Sequence, residues 1–169
     1  METRVERMRD LVSRLHAHPR RRLTLLVGVD GPAGGAQAAF TRALSALDAE
    51  MAVVPLADFA LPEPAEDGGQ VDWRRLRSQV LLPLGRDVAA RYDRAGSGVR
   101  EVGVGGIVVV AGFRACMRQL ATFYDFRVWV EAGAGARVEP AADDAPHLLV
   151  DGSGTVAHDP AVEYVRLRP

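Results

Sequence analysis

The sequence predicts a single α/β domain of three layers built on a mainly parallel sheet. Two observations carry that prediction. Short, continuously apolar runs such as "LTLLVGV" (23–29) and "IVVVA" (107–111) have the character of strands buried on both faces, as parallel strands are. These runs alternate with stretches of helical periodicity, the pattern of βαβ units. A length of 169 residues suits one domain, spanning 1–169, with a full core.

Taken in order, Val5, Met8, Leu11, Val12 and Leu15 recur at three- and four-residue spacing. Residues 1–19 therefore read as an amphipathic opening helix that ends at Pro19 and the "RRR" run. Leu23 to Val29 is the first strand. A helix follows from about Ala36 to Ala49, with Phe40, Ala43, Leu44 and Leu47 on one face. "MAVVPLADF" (51–59) reads as the second strand and "LPEPAEDGGQ" (61–70) as an exposed loop rich in breakers. Asp72 is well placed to cap the helix "WRRLRSQVLL". Pro83 breaks that helix, and a second helical piece runs to about Tyr92. "DRAGSGVREVGVGG" (93–106) reads as a flexible connection. Strands at "IVVVA", "FRVWVEA" (126–132) and "HLLV" (147–150) complete a sheet of five, with "VEYVRLR" (162–168) as a candidate last edge strand. "EAGAGARVEPAADDAP" (131–146) reads as a loop.

Composition narrows the partners. With a formal net charge of −1 there is no bulk attraction to nucleic acid or to an anionic membrane, and neither is expected. No apolar run approaches the roughly 18 residues that a membrane span needs. The N-terminal stretch is charged throughout, unlike a secretory signal, so the expected location is the cytoplasm. Cys116 is the only cysteine, which excludes a disulfide within one chain and a cysteine-rich metal site. His16, His18, His147 and His158 form no metal-ligand spacing with Cys116 or the carboxylates, so no metal is expected. All 21 basic residues are arginine; no lysine elsewhere in the chain can serve a site that lacks one.

Residues 27–40, "VGVDGPAGGAQAAF", pass from strand through a glycine-rich turn into a helix. Such a turn presents backbone N–H groups and the positive end of a helix dipole to an anion. The phosphate-binding pattern G-x-x-x-x-G-K-[ST] adds a lysine for the β- and γ-phosphates and a hydroxyl for Mg²⁺. Here Gly31 takes the first glycine, and Pro32, Ala33, Gly34 and Gly35 fill the variable positions. Ala36 then takes the second glycine, Gln37 the lysine and Ala38 the hydroxyl. Alone, this is a failed match, and it reads as a tight turn.

The order of motifs along the chain changes that reading. "GVDGPAGGAQAA" (28–39), "ADFA" (57–60), "DWRRLRSQVLLPL" (72–84), Tyr92–Asp93, "VVVAG" (108–112), "DFRVWVEA" (125–132) and "HLLVDGSG" (147–154) follow one another. Together they resemble the uridine kinase-like family of P-loop nucleoside kinases. Its members typically carry "GIDGPSGSGKST", "DDFY", "DW..L....L.PL", "YD", "VVVEG", "D..VWVEA" and "ADLVVDG" in that order. The resemblance covers nearly the whole chain and implies a P-loop NTPase-like fold.

The departures fall where that family does its chemistry. The loop lysine and hydroxyl are Gln37 and Ala38. The position of the catalytic base, the first acid of "DDFY", is Ala57, and only Asp58 remains. The metal-holding acid of "VVVEG" is Ala111, and the arginine-rich lid is reduced to a short loop at about 133–146. Phosphoryl transfer rests almost wholly on positioning and charge stabilisation, and losing one preorganised donor can cost on the order of 10²–10³ in rate.

The expectation is therefore a pseudokinase that needs no cofactor. It would bind a nucleoside-like or other small ligand, or a protein partner, which includes a second copy of the chain. The alternative is a working kinase using ATP and Mg²⁺, or a P-loop scaffold turned to other chemistry. On the acceptor side the resemblance gives Asp72 a sugar contact and Tyr92–Asp93 a place in the same pocket; a helix cap and a helix end explain them as well. Asp58, with Asp30 and Asp93, would be the first acid–base candidates for new chemistry, because open α/β sheets place ligands at the carboxyl ends of their strands.

Overall fold

The computed structural model describes residues 2–66, 69–133 and 145–168. Its frame is β1 (Glu2–Arg7), α1 (Met8–Ala17), β2 (Leu25–Asp30), α2 (Gly35–Ala46) and β3 (Ala52–Pro55). A helical run follows: α3 (Trp73–Leu76), a π-helical stretch (Arg77–Leu81) and α4 (Leu82–Gly85). Then come β4 (Ala90–Asp93), β5 (Val99–Val102), β6 (Ile107–Ala111), α5 (Arg118–Ala121), β7 (Phe126–Glu131), β8 (Leu148–Asp151) and β9 (Glu163–Arg168).

The main sheet runs in the order β1-β9-β8-β7-β2-β6-β3. β8, β7, β2, β6 and β3 are mutually parallel, which gives the five strands that the apolar runs predict. β2 lies inside the sheet, and all six of its residues are buried. Its side chains alternate between two cores. Leu25, Val27 and Val29 meet Met8, Leu11, Leu15, Phe40 and Leu44 of α1 and α2 on one face. Leu26 on the other face meets Leu76, Val80, Leu81 and Leu84 of the helical run. Burying an aliphatic side chain of this size contributes about 1.5–3 kcal/mol, so the two cores clamp the sheet between helical layers.

Several sequence expectations need correction. Residues 2–7 form a strand, and the opening helix starts only at Met8. "ETRVER" alternates at period two as readily as Val5 fits a helical stripe. What decides is the antiparallel ladder with β9, and Val5 is left 40% exposed. β9 is consequently an inner strand rather than an edge, and the sheet has seven strands rather than five.

Pro83 does not break its helix. The preceding π-helical stretch has already left the regular hydrogen-bond ladder, so the missing proline N–H costs little there. The helix stops at Gly85, and Asp87 adopts φ 57° beyond it. Tyr92–Asp93 and the supposed flexible connection form a hairpin, β4 with β5. Ala90, Tyr92 and Val102 enter the second core, while Gly96 and Gly98 supply the positive φ that its turn needs. The reading of a reduced lid falls mainly on 134–144, outside the described residues. No helix among the described residues is long and apolar enough to cross a membrane.

Candidate functional site

The parallel strands end together at Asp30, Pro55, Ala111, Glu131 and Asp151, and the connections leaving that edge build the site. A wide cleft of about 2100 Å³ opens there. Ala33, Gln37 and Ala38 of the turn and α2 line it, with Ala57 beyond β3, Ala111 at the end of β6, and Asp72. Methyl groups thus stand around the rim.

The turn keeps the backbone of a tight strand-to-helix junction. A Cβ on Gly31 would sit 2.3 Å from the Val130 carbonyl oxygen, so only glycine fits. Gly34, the residue before α2, has φ 148°, and no side chain caps the helix. Pro32 is half-buried, Ala33, Gly34 and Gly35 are exposed, and Ala36, Gln37 and Ala38 are half-buried. Ala36 sits against Gly152 after β8, where an added methyl would lie 2.7 Å from its own.

Asp30 is 4% exposed, does not line the cleft and is held in a bracket of backbone. One carboxylate oxygen accepts from the N–H groups of Gly31 at 2.7 Å and Arg114 at 2.8 Å; the other accepts from Cys116 N–H at 2.8 Å. Burial pushes its pKa up, against the pull of those three donors. The acid therefore ties the end of β2 to the strap 112–117. In that strap Arg114 is held at φ 71°, and the carbonyl of Ala115 accepts from the Tyr124 hydroxyl at 2.8 Å. Cys116 is half-buried with its sulfur against Gly28: a Cβ there would be 2.6 Å from Sγ.

Asp58, Asp72, Tyr92 and Asp93 do come together, gathered by Arg75 and Arg100. Asp58 accepts from the Tyr92 hydroxyl at 2.8 Å, and Arg100 donates to that hydroxyl at 3.2 Å and to the Val53 carbonyl at 2.6 Å. Arg75 donates to the carbonyl of Asp58 at 2.9 Å and to that of Asp93, and its guanidinium lies 4.7 Å over the Phe59 ring. Asp72 caps its helix by accepting from Arg75 N–H at 3.1 Å, as the sequence predicts. Tyr92 is 1% exposed, and burial, followed by the bond to Asp58, pushes its hydroxyl to about 12 against the opposing charge of Arg100. Of the acceptor-side candidates, Asp72 alone lines the cleft.

Arg75 and Arg100 were not singled out from sequence. Arg75 carried a weak signal, an arginine three residues after a helix-capping aspartate. Arg100 carried none, because its segment had no strand pattern long enough to read. Among the described residues, no three side chains of His, Cys, Asp and Glu converge to hold a metal ion.

A scan against protein-family models and a search of curated proteins each found no match. Among solved structures, the chain is similar to a possible uridine kinase from Bacillus stearothermophilus, with a TM-score of 0.55 and 17% identity. The match covers 75% of this chain and 80% of that one. The fold is P-loop NTPase-like. At that identity the likeness is one of architecture, so the chemistry has to be argued from the cleft.

Proposed function

We propose that this chain is a catalytically degenerate uridine kinase-like protein, a pseudokinase that uses its cleft to bind rather than to transfer phosphate. One observation carries the reading. Ala38, Ala57 and Ala111 all line the same cleft, each at a position where the resembled family supplies a hydroxyl, a base or a metal-holding acid. Asp58, the acid left beside Ala57, is engaged with Tyr92 and does not line the cleft. Gln37 at the lysine position is neutral. Losing such preorganised groups together removes the means of stabilising charge on a phosphoryl group in flight. The occupant is a small ligand or a segment of a partner protein, held by the cleft walls.

Titration calorimetry with ATP at matched Mg²⁺ and EDTA conditions tests the reading, together with a radiolabel assay for γ-phosphate transfer to uridine. No affinity that depends on Mg²⁺ and no transfer above background are expected. Micromolar binding that requires Mg²⁺, or transfer to uridine, would overturn it.

A further inference from the structure

The cleft that lacks a lysine and metal-holding acids is well supplied with arginine. Arg42 of α2, Arg74 of α3, Arg114 of the strap and Arg118 at the start of α5 all line it, and all four are exposed. None of their guanidinium groups donates a hydrogen bond or forms an ion pair among the described residues. By contrast, Arg14, Arg22, Arg75 and Arg166 are each paired with an acid. Arg74 lies 5.0 Å over the Trp73 ring, and Arg114 lies 5.9 Å from the centre of the Phe113 ring. Among the described residues, the acids lining the cleft are Asp72, taken up with Arg75, and Glu63 and Glu66 on the exposed loop after β3.

From this we infer that the cleft binds a compact polyanion of the polyphosphate type through arginine, without a divalent cation. Guanidinium is always charged and offers a planar fork of donors that matches phosphate oxygens two at a time. It therefore needs neither a lysine nor a metal to neutralise them. Arg114 is the best-prepared of the four. Its own N–H is held by the buried carboxylate of Asp30, and its neighbours Gly112 and Ala115 are bonded to Val29 and to Tyr124. The backbone that presents this side chain is thus fixed before any ligand arrives, which lowers the ordering cost of binding. Arg118 follows four residues later on the same connection.

The inference rests on the reading of the cleft as a binding site, and it names the chemistry of the occupant. The probe is sodium tripolyphosphate, titrated calorimetrically into the full chain in EDTA at low salt, with inorganic phosphate as the weaker comparison. Saturable 1:1 binding is expected. It should be unchanged by added Mg²⁺ beyond the metal's own binding to the probe, and weakened several-fold as salt rises from about 50 to 200 mM. Arg114→Gln and Arg118→Gln should each weaken it about fivefold or more, while Arg86→Gln, outside the cleft, leaves it unchanged. Melting curves of the three variants should coincide with the parent, because these side chains are exposed.

Absence of binding overturns the inference, as does an equal loss with Arg86→Gln or an absolute requirement for Mg²⁺. The two readings fail separately. Transfer to uridine with metal-free tripolyphosphate binding intact removes only the pseudokinase reading. No transfer and no tripolyphosphate binding removes only the polyanion site.

Discussion

The rim of the cleft and the wall behind it are built on opposite terms. At the rim stand Ala33, Ala38, Ala57 and Ala111, side chains that can offer a ligand nothing but a methyl group. Behind it, Asp30 satisfies three backbone N–H groups, and Asp58, Tyr92, Arg75 and Arg100 satisfy one another and the carbonyls around them. The wall's polar groups hold backbone and one another, whereas the cations that line the cleft, Arg42, Arg74, Arg114 and Arg118, are left exposed. The contrast teaches that an acid after a parallel strand is not evidence of chemistry by position alone. Where its oxygens point decides.

The strongest way to break the comparison is alkali, because the chain buries its three tyrosines, Tyr92 of the wall among them, and contains no lysine to titrate beside them. Burial raises Tyr92 to about 12, Tyr124 well above its ordinary value, and Tyr164 beyond the normal tyrosine range. A group whose pKa is raised on folding gives stability that is fully present below its unfolded pKa and lost as pH climbs through the folded one. For Tyr92 alone, the rise from 10 to about 12 corresponds to roughly 3 kcal/mol. Denaturant melts followed from pH 9 to 12 should show a steep loss of stability above pH 10. A flat profile would mean that the tyrosines are not buried as described.

Next in size is Asp30→Ala, which leaves one buried and two part-buried N–H donors without their acceptor. A loss of roughly 3–5 kcal/mol by urea unfolding is expected, with Asp30→Asn milder because one oxygen remains. An effect under 1 kcal/mol would show that the bracket does not hold the strap. Gly31→Ala should cost about 1–3 kcal/mol, since its methyl would press on the Val130 carbonyl. Gly35→Ala in the same turn, with nothing within 4 Å of an added Cβ, should be neutral or slightly stabilising. Equal effects at the two glycines would contradict the close approach of β7 to the turn. Tyr92→Phe should cost about 1–2 kcal/mol, as Asp58 loses its donor in a half-buried place. This variant should leave tripolyphosphate binding unchanged, because Tyr92 lies outside the cleft.

Much of the candidate site was legible as residue types and little of it as directions. The Asp72 cap could be read because a cap is local: Asp72 and Arg75 are three residues apart. The turn's need for glycine at 31 could be read as a motif position, but not its cause, which is a carbonyl on a strand about a hundred residues later. Asp58 could be named as an acid at a strand end. That its carboxylate meets Tyr92 depends on a hairpin whose strands are only four residues each, too short to announce themselves by alternation.

What the sequence determined by itself is the parallel frame: continuous apolar runs of β2 and β6, and α1 and α2 with their apolar stripes. Those features are local in pattern and strong in burial, so no partner segment is needed to recognise them. The tertiary structure alone decided that residues 2–7 become a strand, because their ladder partner lies at 163–168. It also decided that Tyr92 turns into the core, that Asp30 faces backbone, and that arginines from α2, α3, the strap and α5 share one cleft. Each is a meeting of segments far apart in the chain. A one-dimensional pattern carries the propensity of a segment but not the identity of what it will touch.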